Sequence, residues 1–324
     1  MSDSAATVSA VPAFEEIQAA ARRIEGLAKR TPLMTSRGFD AIANTATYFK
    51  CENLQTGGAF KIRGAANFVL SIPEAERKRG VIAYSSGNHA QAVAIAAQSV
   101  GIHATLVMPK DAPQSKVEAA RSRGARIILY DRFTEDRVGI SKKLAEESGA
   151  TTVPPFDHPW IMAGAGTLAL EILEEAGELD AIVCPIGGGG MISGCAIAAK
   201  HLNPAISVIG VEPADANDTF LSLRAGHRVS IDPPATIADG LRSPMPGELT
   251  FPVIQKHVDR VVLVSEDEIR ETVKHLLMRL KILVEPSGAV SAAAVLFGKL
   301  PSGLRRVGVV LSGGNMDWGT LAGL

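Results

Sequence analysis

Short runs of aliphatic and β-branched residues, bounded by glycine, proline or charge, recur along the chain. They are Val81-Ile82-Ala83-Tyr84, Thr105-Leu106-Val107-Met108, Ile127-Ile128-Leu129-Tyr130, Ile182-Val183-Cys184, Val208-Ile209-Gly210-Val211, Val261-Val262-Leu263-Val264 and Val307-Gly308-Val309-Val310-Leu311. Each is apolar at successive rather than alternate positions, the pattern of a strand buried on both faces of a parallel sheet. Helix-length segments lie between them at 87–101, 114–124, 134–149, 163–177, 189–202, 266–282 and 286–298. The alternation predicts an open α/β fold with right-handed crossovers. In such folds ligands bind where strand ends meet helix starts, so the loops after strands carry the chemistry.

Composition narrows the possibilities. The 324 residues suffice for two domains with their own cores. Hydrophobic residues make up 46% and charged residues 21%, the balance of an ordinary globular protein. Disorder is expected only in the opening MSDSAATVSAVP. The formal net charge of −1, with no long basic run, argues against a nucleic-acid partner. Three cysteines without CxxC spacing, Cys51, Cys184 and Cys195, suit reduced thiols. With no apolar signal segment and no span-length apolar run, the sequence predicts a cytoplasmic protein that does not enter a membrane.

Three loops stand out. Ser85-Ser86-Gly87-Asn88-His89 follows the first candidate strand, Gly187-Gly188-Gly189-Gly190-Met191 follows the strand at 182–186, and Ser312-Gly313-Gly314-Asn315 follows the last. Four consecutive glycines opening a helix imply close approach of the backbone to something, and bare N–H groups at a helix start form an anion site. A tight strand-to-helix turn is the plainer explanation, but one or two glycines would satisfy it. The dinucleotide fingerprint fails at Ile192 and Ser193, and no Walker loop, GxSxG elbow or HExxH occurs. The remaining option is a phosphorylated cofactor bound without a nucleotide motif.

In Gly57-Gly58-Ala59-Phe60-Lys61-Ile62-Arg63-Gly64-Ala65 a lysine stands at a helix start. The helix dipole and partial burial would both lower its pKa, as a Schiff-base lysine requires. A solvated surface lysine is the alternative from these residues alone. Six motifs in order (AFKIRGA around Lys61, SSGNHAQA at 85–92, GGGGM at 187–191, TIADGL at 236–241, EPSGA at 285–289 and SGGN at 312–315) resemble the threonine dehydratase and serine racemase family of pyridoxal-phosphate enzymes. The resemblance runs from Thr31-Pro32-Leu33 to Asn315 and lies closest to the serine racemase and 3-hydroxyaspartate dehydratase branch.

That resemblance implies fold type II, similar to the tryptophan synthase β chain: a large cofactor-binding domain of residues 1–75 and 155–324, and a small mobile domain of residues 76–154. It implies that Lys61 holds pyridoxal 5'-phosphate as a Schiff base and later takes the substrate α-proton. Phe60 would pack on the cofactor ring, Asn88 would bond its phenolic oxygen, and Gly187, Gly188, Gly189, Gly190 and Met191 would hold its phosphate. Gly240 would complete the pocket and Ser312 would face the pyridine nitrogen, whose neutral partner weakens the electron sink and favours rapid β-elimination. Ser85, Ser86, Gly87, Asn88 and His89 would bind the substrate α-carboxylate, with Ser86 as the proton donor or acceptor opposite Lys61. Plain helix capping also accounts for Ser85 and Ser86.

Glu212, Ala216 and Asp218 match the family's divalent-cation site for Mg²⁺, or Ca²⁺ or Mn²⁺, in an all-oxygen shell. An acidic loop capping the next helix is the alternative. Arg137 aligns with an arginine of the racemase and hydroxyaspartate-dehydratase members, and a guanidinium is the natural partner of a second carboxylate. A solvated helix arginine paired with Asp136 or Glu135 is the other explanation. The resulting expectation is an ammonia-lyase that eliminates water from 3-hydroxyaspartate or serine. Serine racemase, catabolic threonine dehydratase and a non-catalytic pyridoxal-phosphate-fold binding protein are the alternatives. The chain ends soon after Asn315, so neither a C-terminal regulatory domain nor isoleucine feedback is expected. A homodimer is implied by the resemblance alone.

Overall fold

The computed structural model describes residues 11–85, 87–112 and 114–324. Most of the N-terminal segment expected to be disordered, and Ser86, lie outside these residues. The strands are β1 (Leu33–Met34), β2 (Ala46–Cys51), β3 (Val81–Tyr84), β4 (Ala104–Pro109), β5 (Arg126–Tyr130), β6 (Thr151–Thr152), β7 (Ala181–Pro185), β8 (Ser207–Pro213), β9 (Arg260–Val264) and β10 (Arg306–Leu311). They form a six-stranded sheet of order β1-β2-β10-β7-β8-β9 and a four-stranded sheet of order β5-β4-β3-β6. Every pairing is parallel except β1 with β2.

All seven expected strands form; those inside the sheets are buried on both faces, whereas β5, at an edge, leaves Leu129 exposed. Val183, Ile209, Val309 and Leu311 sit in one core with the helices Glu266–His275 and Pro286–Leu296, while Ile182, Cys184, Val208 and Val310 sit in another with Pro159–Ala176 and Gly190–Leu202. The four strands of the smaller sheet all fall within residues 76–154. The helix Lys61–Ser71 comes before that segment, yet Ile62, Ala65, Ala66, Phe68 and Val69 bury in the small sheet's core. Its opposite side carries Arg63, bonded to Glu52 and Glu171 next to the larger sheet. The helix is therefore wedged between the two cores, and Lys61 opens it.

Among the described residues no helix is long and apolar enough to cross a membrane. All three cysteines are free and buried.

Candidate active site

Gly57 and Gly58 both adopt φ of +74°, which turns the chain sharply before the helix that starts at Lys61. A Cβ on Gly58 would collide with the side chain of Asn315. Beyond this turn Ala59 bridges Gly313, and the Phe60 N–H donates to the Ser312 carbonyl at 3.0 Å. The lysine motif and the SGGN loop are thus stitched together by backbone.

The Lys61 amine donates to the Pro155 carbonyl at 2.7 Å and lies 5.1 Å from the Phe60 ring centroid. Among the described residues no carboxylate pairs with it. Burial without a counter-charge pushes its pKa down to about 8, so a useful fraction is uncharged near neutrality. Neutral amine is the form that condenses with an aldehyde.

Asn88 begins the helix Asn88–Ser99, and its amide is doubly held. Nδ2 donates to Glu285 Oε1 at 2.7 Å, and Oδ1 accepts from Asn315 Nδ2 at 2.8 Å. One Nδ2 hydrogen remains for a ligand. Burial, then the charge of Asp239, raises Glu285 to about 7, and the Asn88 bond pulls the other way. Ser312 is buried with its hydroxyl 3.4 Å from the Ser287 carbonyl, and Ser287 Oγ accepts from the Gly240 N–H at 2.9 Å.

In the glycine loop, Gly188, Gly189 and Gly190 are buried, and Gly189 has φ of +92° as the residue preceding the helix Gly190–Leu202. Among the described residues their three N–H groups have no hydrogen-bond partner. Buried backbone donors are almost always satisfied, so three together at a helix start fit an anionic group. Side chains are excluded as well: a Cβ on Gly188 would strike the Phe156 ring, and one on Gly190 would lie 2.8 Å from the Phe156 carbonyl. Gly187 faces Gly240, whose carbonyl would be 3.4 Å from a Cβ there, and Met191 is buried in the helix's first turn. Lys61, Asn88, Ser312 and this loop therefore fit a phosphorylated aldehyde cofactor.

Of the loop expected to bind the substrate carboxylate, Ser86 lies outside the described residues. Ser85 Oγ accepts from the Gly87 N–H at 3.2 Å, a local turn bond of the capping kind. The His89 ring is buried, with Nε2 3.0 Å from the Val153 carbonyl. A carbonyl only accepts, so Nε2 carries the proton. Burial, helped by the Lys61 charge, holds its pKa down to about 3, so the ring stays neutral and structural. Only the backbone of His89 is left for a substrate carboxylate.

Arg137 starts the helix Arg137–Ser148 and is exposed, with its guanidinium 5.7 Å from the Tyr84 ring centroid. Asp136 is occupied in capping that helix, accepting from the N–H groups of Val138 and Gly139. Tyr84 is the residue that leads into Ser85, so Arg137 packs on the residue preceding that serine.

Glu212 is the penultimate residue of β8 and accepts from the N–H groups of Thr219 and Phe220 at 3.0 and 2.8 Å. Asp218 opens the helix Asp218–Ala225, is fully buried, and has no partner for either carboxylate oxygen. Burial raises Asp218 to about 7; burial and the Asp218 charge raise Glu212 to about 8. Among the described residues no three His, Cys, Asp or Glu side chains converge on one point. Two orphaned oxygens beside a second carboxylate nonetheless fit a hard cation completed by carbonyls and water.

Sequence reasoning missed Pro155, Glu285 and Asn315 as site residues. The EPSGA and SGGN motifs contained two of them, but their contacts with Asn88 join positions 197 and 227 residues apart.

The chain matches the family model described as "Pyridoxal-phosphate dependent enzyme" over residues 24–313. It is 47% identical over 304 residues to L-threo-3-hydroxyaspartate ammonia-lyase of a Pseudomonas species, covering 94% of this chain and 95% of that protein. It is 44% identical over 307 residues to serine racemase of Schizosaccharomyces pombe, covering 95% of each. Among solved structures, maize serine racemase has a TM-score of 0.93 at 42% identity, across 97% of both chains.

Proposed function

The chain belongs to the pyridoxal-phosphate dependent enzymes, and we propose that it is an ammonia-lyase that eliminates water from a β-hydroxy amino acid, with 3-hydroxyaspartate the preferred substrate. The observation that carries this reading is the buried Lys61 amine, partly neutral near pH 7, together with two separate features suited to anions, the loop that opens the helix Asn88–Ser99 and Arg137, packed on Tyr84 just before that loop. The loop suits an α-carboxylate, and a guanidinium suits the second carboxylate that serine and threonine lack.

Bound at this site, the cofactor would supply an electron sink for charge developing at the substrate α-carbon. The residues of the chain do the rest. The Lys61 amine takes the α-proton, Asn88 and the glycine loop hold orientation, and Ser312 presents a neutral partner that gives no strong stabilisation, so the β-hydroxyl leaves promptly. The enamine formed by loss of water is hydrolysed to oxaloacetate and ammonia. The small sheet and its helices would close over the substrate as a mobile domain of residues 76–154 and exclude bulk water.

Initial rates on 3-hydroxyaspartate, serine and threonine, with ammonia and oxo-acid both quantified, test the reading. The expected result is a preference for 3-hydroxyaspartate that Arg137→Ala removes. A preference for threonine that Arg137→Ala leaves unchanged would overturn it. Racemisation is a second reading, favoured by the near-equal similarity to serine racemases; chiral analysis of recovered serine measures it. A binding-only role is disfavoured because Lys61, Asn88 and Ser312 are all present and held, and visible absorbance that shifts on adding an amino acid would exclude it.

Three further features belong to this proposal. A divalent cation, Mg²⁺, Ca²⁺ or Mn²⁺, is held by Glu212, the Ala216 carbonyl and Asp218, supported by the orphaned Asp218 oxygens. The chain forms a homodimer, supported by exposure of Leu54, Met278, Leu283 and Trp318, the first and third lying at neighbouring segments that Asn53 ties together. Three free, buried cysteines support a reducing, cytoplasmic setting.

A further inference from the structure

We infer that Thr250, with Asp157 behind it, is a positioning residue that presets the glycine loop for the cofactor phosphate and fixes that loop relative to the Lys61 amine. The inference rests on reading residues 187–190 as the phosphate site. Thr250 is fully buried at the start of the helix Thr250–His257, some sixty positions along the chain from the loop it serves.

Thr250 Oγ1 donates to the Gly188 carbonyl at 2.7 Å, and the Gly247 N–H adds a longer bond of 3.3 Å to the same oxygen. In a trans peptide the carbonyl and the following N–H point to opposite sides. Pulling the Gly188 carbonyl toward Thr250 therefore aims the Gly189 N–H the other way, and among the described residues that N–H has no partner. Without such a hold, a glycine-glycine peptide is among the freest in a protein, and its ordering would have to be repeated each time a phosphate bound. A second tie lies one turn further on, where Ser193 Oγ donates to the Thr250 carbonyl at 3.3 Å.

Asp157 fixes Thr250 in turn. Its Oδ1 accepts from the N–H groups of Leu249 and Thr250 at 2.9 and 3.2 Å, and its Oδ2 from that of Glu248 at 2.8 Å. A Cβ on Gly247 would collide with this carboxylate, so the approach needs glycine there. Two residues before Asp157, the Pro155 carbonyl receives the Lys61 amine, and Phe156 between them covers Gly188 and Gly190. One short segment, 155–157, thereby joins the amine that holds one end of a cofactor to the N–H groups that hold the other.

The test compares equilibrium binding of pyridoxal phosphate and of pyridoxal, which lacks the phosphate, to protein stripped of cofactor. Wild type should prefer the phosphorylated form; if it shows no preference, the phosphate reading itself fails. Given that preference, Thr250→Val keeps shape and removes the donor, and should reduce it by about five- to tenfold, the usual weight of one hydrogen bond. Thr250→Ser restores the donor and should return it to within about twofold of wild type, while pyridoxal binding stays constant across all three. Thermal unfolding of the stripped proteins checks that the fold is retained. Should Thr250→Val not fold, Asp157→Asn carries the test: it should lower the preference and also slow pyridoxal capture by Lys61. A preference undiminished by either substitution in folded protein overturns the inference.

Discussion

The reactivity of Lys61 should be set by dryness, and its pH dependence can be calculated. The amine has a carbonyl acceptor and an aromatic neighbour but no carboxylate, and burial alone lowers its pKa to about 8. At pH 7 roughly a tenth of it is then neutral, against roughly 0.04% for a lysine of pKa near 10.4, an advantage of about 200-fold. Pulsed amine labelling of cofactor-stripped protein between pH 6 and pH 11, read by mass spectrometry on the Lys61 peptide, measures this directly. Lys61 labelling should rise about tenfold per pH unit and level off near pH 8. Phe60→Ala, which admits water, should move the Lys61 inflection upward. The reasoning is refuted if Lys61 labelling keeps rising to about pH 10, the range of a free lysine amine, or if borohydride reduction of the loaded protein traps the cofactor at a residue other than Lys61.

Other outcomes follow from the same geometry. Gly188→Ala should abolish cofactor retention, seen as loss of visible absorbance after gel filtration, because its methyl group would occupy the place of the Phe156 ring. Arg63→Leu should destabilise the protein by about 3–5 kcal/mol in urea unfolding, since it leaves the buried Glu52 without its bidentate partner and Glu171 with only Lys50. Removing divalent cations should lower the unfolding temperature, and the gap should widen with pH. Without a cation, the raised values of Asp218 and Glu212, about 7 and 8, mean that folded-state stability present at low pH is lost as pH rises through that range, whereas a bound cation favours the ionised forms. Calorimetry with and without chelator at pH 6 and pH 8.5 measures the gap; an equal gap at both would contradict the assignment.

The α/β alternation, the seven longer apolar strands and the positions of the loops that carry chemistry were written in the local sequence. A strand buried on both faces is apolar at successive positions, and a loop whose backbone closely approaches a phosphate favours glycine. Where a strand broke that rule it escaped notice. β2 contains Lys50, which interrupts the apolar run of Ala46–Cys51, and its 2.6 Å pairing with Glu171 and its hydrogen bond to the Thr31 carbonyl let a lysine be fully buried there. The two-residue strands β1 and β6 are too short to show any period.

The kinds of group at the site were legible in the same way, because Lys61, Asn88, Ser312 and the four glycines sit in local motifs. Their settings were not. A lysine has the same sequence neighbours whether wet or dry, and it was the Pro155 carbonyl and the surrounding cores that removed water from Lys61. His89 lay in a binding loop by sequence, yet packing turned its ring to Val153. Glu285, Asn315, Asp157 and Thr250 act through partners far away along the chain, and hydrogen bonds of that kind leave no periodicity for a sequence to display. Local sequence thus chose which atoms are available, and tertiary packing chose which of them are desolvated, charged and aimed, because both depend on distances that only the folded chain defines.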